Sequence, residues 1–212
     1  VYDSLMDELK KIESDHPELI TIDSPTQRVG NKLLDGFQKV EHARRMVSLN
    51  DVFDKSEVEA WIERTDKLIP GQRHEFFTDI KMDGLACALI YVDGVLFQAV
   101  TRGDSFVGED VTNNVRTIKN VPLRLREAAG FENFLRGRTE IRGEIVMLKR
   151  DFEELNEKQK SLGLPTFANP RNLAAGTIRQ LDPALVAARL LHFRGYDVIR
   201  DDGSEVPTNS FA

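Results

Sequence analysis

Two periods of apolar and polar residues alternate along this chain. Leu5, Leu9 and Ile12 fall at helical spacing between Ser4 and Ser14, with Asp7, Glu8, Lys10 and Lys11 on the other faces. His16-Pro17 ends that helix, because a residue before proline is driven out of the α region. The polar stretch Thr21 to Gly30 reads as a loop rich in turn formers, a linker to a main domain. Met46-Val47-Ser48-Leu49 is compatible with a short buried strand. Ser56-Glu57-Val58-Glu59 is a capping box, with Ser56 at the cap. The helix it opens carries Val58, Trp61, Ile62 and Leu68 on its apolar side, so Trp61 reads as core. Pro70-Gly71 breaks the chain before Phe76-Phe77.

The pattern then becomes that of strands. Leu85 to Tyr91 is almost wholly apolar, Asp93-Gly94 supplies a two-residue turn, and Val95 to Val100 returns. Asp-Gly between two such runs predicts a hairpin, since both turn residues must accept positive φ. Thr101 to Asp110, with Gly103 and Gly108, is a tight loop, and Glu109-Asp110 can open a short helix through Val115. Arg124 to Arg138 shows little regular pattern. Thr139 to Leu148 alternates, with Ile141, Gly143, Ile145 and Met147 on one face and Arg142, Glu144 and Val146 on the other. Asp151 caps a helix whose buried side is Phe152, Leu155, Gln159 and Leu162, and Gly163 then Pro165 end it. Asn169-Pro170 starts a further helix, with a capping side chain and proline in the first turn, and Asp182-Pro183 repeats the signal. Leu190 to Ile199 is the last strand. The expected class is α+β, a small helical N-terminal part followed by a mixed antiparallel sheet with flanking helices.

Composition adds bounds. With 212 residues, 41% hydrophobic and 30% charged, the chain can bury a sizeable core. No apolar run is long enough to cross a bilayer and no signal-peptide pattern opens the chain, so a cytoplasmic protein without a membrane partner is expected. Val1 in place of methionine suggests a trimmed fragment. A net charge of -6 argues against indiscriminate nucleic-acid binding but leaves room for a local basic patch. Cys87 is the sole cysteine, which excludes intramolecular disulfides and cysteine-cluster zinc sites, and its place in an apolar run makes it a core residue. His16, His42, His74 and His192 show no metal-ligand spacing.

Candidate chemistry centres on Asp79-Ile80-Lys81-Met82-Asp83-Gly84, just ahead of the hairpin. In extended structure Lys81 and Asp83 share a face, and a lysine so placed can be a nucleophile if its surroundings favour the neutral amine. Solvated Lys-Asp pairs before turns are common, so these letters alone leave a bland reading open. Glu144 in a strand interior requires a polar cleft or water on that face. Arg102, at the end of the returning strand, would point into the same cleft. Arg171, Ala175 and Arg179 lie four apart, either an anion-binding stripe or a solvated one.

Taken together, several segments resemble the adenylation region of bacterial NAD-dependent DNA ligases. They are Tyr2-Asp3, Thr21 to Gly30, Ser48-Leu49, Lys81 to Gly84, Thr101 to Thr112, Arg142-Gly143-Glu144, and the long string from Phe167 to Pro183. The resemblance implies that Lys81 attacks the α-phosphorus of NAD, releases nicotinamide mononucleotide, and carries AMP to the 5′-phosphate of a nicked DNA duplex, with magnesium assisting. It assigns Tyr2 and Asp3 to the nicotinamide end and Ser48 and Leu49 to the adenosine. Asp79 would meet adenine, Asp83 belongs to the nucleophile motif, and Arg102 contacts NAD. Glu144 would lie near ribose and metal, and Arg171 and Arg179 near the phosphates or nicotinamide. The implied architecture is a partial nicotinamide-mononucleotide-binding helical subdomain over residues 1–36 and a partial, ATP-grasp-like nucleotidyltransferase domain over 37–212, as a monomer. Departures from the family pattern are Asp79-Ile80 before Lys81, Asn50-Asp51 after Leu49, Arg44-Arg45 before the Ser48 pair, and Ser105-Phe106-Val107 in the loop after Arg102. The family's later lysine motifs, its barrel, its helix-hairpin-helix region and its zinc module find no match, so zinc is expected only outside this chain. The chain alone is expected not to seal nicks and to self-adenylate poorly or not at all. The rival readings are a non-catalytic module that keeps the fold and a relative of the ATP-dependent ligases.

Overall fold

A computed structural model of the chain describes residues 2–28, 34–73 and 75–201. The side chains of Tyr2 and Asp3 lie outside that set, as do Val29, Gly30 and His74. The first helix, α1, runs Tyr2–Asp15 and stops at His16-Pro17 as its sequence requires. Its apolar residues are not its anchor, since Leu5 and Ile12 are exposed, whereas Glu13 is buried. The Glu13 carboxylate accepts hydrogen bonds from the hydroxyls of Ser24 (2.5 Å) and Thr26. The stretch read as a linker is therefore tied down. Arg28 donates to the carbonyls of Arg116 (3.0 Å), Ile118 (3.2 Å) and Val121 (3.1 Å), and Arg124 pairs with Asp23 at 2.5 Å.

A short strand, β1 (Lys39–Glu41), follows, and the segment after it has no strand pairing. Of the expected Met46–Leu49 strand only Met46 is buried, while Val47 and Leu49 are exposed. The helix α2 (Lys55–Leu68) is capped two residues earlier than expected. Asp54, not Ser56, accepts from the Glu57 amide at 3.0 Å, and the Glu57 carboxylate accepts from the Phe53 amide at 2.7 Å. Asp54 wins because its carboxylate takes the Ser56 hydroxyl as well. Trp61 is not core: it is 46% exposed and meets only the Phe76 ring, 5.7 Å away, among aromatic neighbours. The helix has no buried residue, so its apolar side lacks a covering surface among the described residues.

The hairpin forms as read, with β2 (Leu85–Val92) and β3 (Val95–Thr101) joined by Asp93 at φ 49° and Gly94 at φ 76°. Positive φ at both positions is the twist-compatible two-residue turn. Within the loop after β3 lie a strand, β4 (Val107–Glu109), paired antiparallel to β1, and a one-turn helix, α3 (Thr112–Arg116). The long strand β5 (Arg138–Met147) pairs antiparallel with β2, and the last strand, β6 (Leu191–Arg200), pairs antiparallel with β5, giving the order β3-β2-β5-β6.

Three helices lie between the last two strands: α4 (Lys149–Ser161), α5 (Pro170–Ile178) and α6 (Pro183–Ala187). The Asn169 and Asp182 caps form as expected, accepting from Asn172 (2.7 Å) and Ala184 (2.9 Å). Asp151 does not cap α4. The helix begins two residues earlier, which carries Asp151 into its first turn, buried beside Arg150 and His192. Leu162, expected on the buried side, is the C-cap of α4 and exposed. One sheet face, with Cys87, Leu89, Tyr91, Ile145 and Phe193, packs on α3, α5 and α6 through Val115, Leu173, Ile178 and Val186. Among the described residues no helix is long and apolar enough to cross a membrane.

The Arg28 contacts make a prediction. Hydrogen bonds from a charged group are worth about 1.5–3 kcal/mol each when their partners stay dry. Arg28→Ala should lower unfolding stability by roughly 2–4 kcal/mol in urea titrations and open residues 20–28 to protease first. A loss under about 0.5 kcal/mol would show that water replaces the guanidinium at no cost.

Candidate active site

The second face of the sheet is polar where its strands meet. Register places Ala86 opposite Glu144, with Glu144 in turn opposite Arg194 on β6. Side chains opposite one another share a face, so Glu144 stands above the small Ala86 rather than in the core. Alternation carries Glu140 and Arg142 onto the same face. Glu140 is 2% exposed and accepts from Arg142 Nε (2.8 Å) and an Arg138 guanidinium nitrogen (2.7 Å).

Gly84 governs how the nucleophile segment reaches this face. A Cβ there would sit 2.2 Å from the Ile145 carbonyl oxygen and 2.8 Å from a Val146 methyl. Only glycine lets the chain run this close to β5, and its backbone N–H donates to the Glu144 carboxylate. Lys81, Met82 and Asp83 precede it, exposed and outside any helix or strand. Arg102 follows β3 directly, its amide bonded to the Ala86 carbonyl at 2.9 Å. At Gly103, φ is +57° and a Cβ would fall 1.8 Å from the Val107 carbonyl oxygen, so the loop after Arg102 must turn on glycine. Arg171, in the first turn of α5, pairs with Asp83 at 3.4 Å.

The charges of three cations act on Glu144. Burial pushes its carboxyl above the ordinary value of 4.5, and this effect is opposed, in order, by the charge of Lys81, the Gly84 hydrogen bond, and the charges of Arg102 and Arg171. Lys81 is solvent-exposed, yet near enough to act on the carboxylate ahead of either arginine.

The other expected residues are more dispersed. Arg179 does not continue a stripe with Arg171, because α5 ends at Ile178 and Arg179 is its C-cap. It pairs instead with Glu109 at 2.9 Å, a carboxylate shared with Lys39 at 3.2 Å. Asp79 is exposed, and its carboxylate accepts from the next amide, that of Ile80, at 2.7 Å. Ser48 and Leu49 are exposed on a segment without regular structure.

The sequence reading missed Tyr196. The pairing of β5 with β6 shifts between Arg142, opposite Asp197, and Gly143, opposite Gly195, leaving Tyr196 as the extra residue of a bulge. The ring is 47% exposed, and burial first, then the Glu144 charge, raises its phenol above the ordinary range. Arg102 and Arg142 act on it in the opposite sense. Gly195 inside a strand pattern was the available signal, since such a glycine marks a bulge. Among the described residues no group of three or more His, Cys, Asp or Glu side chains could hold a metal ion by itself.

Two predictions follow from the geometry. Lys81→Met removes the leading opposing charge, so the Glu144 carboxyl should titrate at higher pH by NMR, and Arg102→Met should act in the same direction more weakly. An unmoved titration in Lys81→Met would place the amine elsewhere. The second concerns stability. A carboxyl raised in the folded state binds more protons there than in the unfolded chain, so stability falls as pH rises from 4.5 through the raised value. Glu144→Gln should therefore melt higher than the parent at neutral pH, with the gap closing below pH 4.5. Equal melting points across that range would contradict the placement.

Comparison with known proteins identifies the family. The family model for the NAD-dependent DNA ligase adenylation domain matches residues 34–212, and that for the DNA ligase-like, N-terminal NAD+-binding domain matches residues 1–30. A DNA ligase of Thermomicrobium roseum is 50% identical over 211 residues, which is 100% of this chain and 30% of that protein. DNA ligases of Acetivibrio thermocellus and Koribacter versatilis are each 44% identical, over 99% and 100% of the chain and 30% and 31% of their own lengths. The chain thus spans about 30% of the length of these curated relatives. With family matches across both segments, residues 1–30 and 34–212, the chain belongs to the NAD-dependent DNA ligase adenylation domain family.

Proposed function

We propose that the cleft around Glu144 is an adenylylation site in which Lys81 is the nucleophile. What carries this reading is the match to the NAD-dependent DNA ligase adenylation domain, supported by the charges of Lys81, Arg102 and Arg171 acting on one half-buried carboxylate. Lys81 gives one proton to water before the attack and a second after it, and its Nζ lone pair forms a bond to the α-phosphorus of NAD. The bond from that phosphorus to the bridging oxygen breaks, and the electron pair leaves with nicotinamide mononucleotide. The attack requires the neutral amine. Arg102 and Arg171 neutralise charge on the phosphate oxygens in the transition state. Tyr196 offers its exposed ring as a flat face for adenine, and Ser48, Leu49 and Asp79 complete the adenosine side. Tyr2 and Asp3 serve the nicotinamide end, and Arg179 the phosphate or nicotinamide end.

Magnesium takes one or two carboxylates plus phosphates and keeps most of its water. Glu144, the half-buried carboxylate of the cleft, fits that limited role, and the ion would add positive charge at the transferring phosphate. In the longer relatives' context AMP passes from Lys81 to the 5′-phosphate of nicked duplex DNA, and the 3′-hydroxyl then displaces it. In this reading residues 37–212 form the ATP-grasp-like nucleotidyltransferase part, and residues 1–36 the helical part that receives nicotinamide mononucleotide.

Thermal unfolding with NAD or ATP, combined with NAD labelled in its adenylate phosphate, tests the reading on this chain. At a hundredfold excess over Kd, NAD should stabilise by about 2.7 kcal/mol, and ATP by less. Whatever covalent label forms in the presence of magnesium should sit on Lys81 and be lost in Lys81→Ala. No protection by NAD, or label that survives in Lys81→Ala, would overturn it.

A further inference from the structure

We propose that Arg142 is a positioning residue for this cleft, acting through the strap of residues 42–46. The proposal rests on the nucleotide reading above and adds to it the part that holds Arg102 against Glu144. Arg142 is 7% exposed and lies two residues before Glu144 on the same face of β5. Its guanidinium makes three directed bonds: Nε to Glu140 at 2.8 Å, and its two terminal nitrogens to the carbonyls of Arg45 at 3.0 Å and Arg44 at 2.6 Å. An arginine buried this far must satisfy its donors, and a planar fork that meets two successive carbonyls fixes the backbone carrying them.

The other end of the strap is fastened to the Arg102 loop. The His42 ring Nε2 lies 3.1 Å from the Thr101 carbonyl and 3.2 Å from the Arg102 carbonyl, so Nε2–H is the donor. The backbone amides of His42 and Met46 donate to the carbonyls of Phe106 (2.8 Å) and Ser105 (3.0 Å). Arg45 also lies over the Phe106 ring, 4.9 Å from its centre. The loop after β3 and the strand β5 are separated in the sheet by β2. The strap is therefore a tie across that gap, with Arg142 at the Glu144 side and His42 at the Arg102 side. Ser48 and Leu49 follow it directly, exposed and outside any strand or helix, so their position depends on the tie as well.

Arg142→Lys keeps the charge and removes the fork, and its effect is read by amide hydrogen exchange and by NAD affinity. Exchange at the His42 and Met46 amides should quicken by about tenfold or more while the β2–β3 hairpin keeps its protection. NAD affinity should fall by about tenfold, and most of that fall should vanish in an Arg102→Met background, because both changes act through the placement of the Arg102 loop. His42→Ala cuts the tie at its other end and should reproduce both effects, which keeps the proposal testable if Arg142→Lys fails to fold. Unchanged exchange at His42 and Met46, or an affinity loss of equal size with and without Arg102, would overturn the proposal. Failure of the unmodified chain to bind NAD would sink the nucleotide reading and the affinity half of this one. The exchange comparison would still decide whether Arg142 fixes the strap.

Discussion

The antiparallel register of β2 against β5 is the constraint on which the cleft depends. It sets Ala86 opposite Glu144, so the only large group at that crossing is the carboxylate itself. A slip of one residue would turn Glu144 towards the face occupied by Cys87, Leu89 and Tyr91, and would bring Ile145 out of it. Glycines help to lock the register by fit. Gly84 closes on the Ile145 carbonyl, and a Cβ at Gly143 would meet the Phe193 ring at 2.3 Å. The Asp93-Gly94 turn fixes β3 on the other side, and with it the point at which Arg102 leaves the sheet. Lys81, Arg102 and Glu144, far apart in sequence, are thereby placed by the two pairings that β2 makes, with β3 and with β5.

That placement is held at some cost. Arg138, Glu140, Arg142 and Glu144 make a charged row on a sheet face that would be more stable if apolar, since taking ions out of water is repaid only by good partners. Glu140 and Arg142 are repaid, each making several directed bonds. Glu144 is not: its half-burial raises its pKa despite three nearby cations and a backbone donor. The contrast separates support from site. Glu140 and Arg142 are paired with one another, whereas at Glu144 burial outweighs the neighbouring charges, and a carboxylate so perturbed marks a candidate site.

Much of this was legible in the chain. The hairpin was written in two apolar runs and Asp-Gly, the long strand in its alternation, and α5 in Asn169-Pro170. Glu144 stood out because a carboxylate inside an alternating strand demands a polar face. Other features were illegible for physical reasons. The cap of α2 moved to Asp54 because two capping signals overlapped and a carboxylate is the stronger acceptor. Trp61 read as core from helical spacing, but periodicity reports which side of a helix is apolar, not whether anything covers it. Arg171 and Arg179 looked like one stripe until the helix proved to end between them. Tyr196 depends on a bulge that only Gly195 hinted at, and Arg142 on carbonyls nearly a hundred residues away that no local pattern records.

The N-terminal part is attached by a different logic from the sheet. The core of the main part is apolar and continuous, whereas α1 is held through a buried carboxylate taking two hydroxyls and an arginine reaching three carbonyls. Directed polar bonds fix an orientation without requiring a shared hydrophobic core, because each is lost steeply with angle and distance. They also expose little apolar surface when they part, so the attachment opposes small displacements strongly and large ones weakly. Reciprocal anchoring strengthens it, since Arg116, whose own carbonyl receives Arg28, sends its guanidinium back to the Ile22 carbonyl at 2.9 Å. The polar loop read as a linker is therefore a joint with defined geometry, held to the C-terminal end of α3 and to the Ile118–Val121 turn beyond it.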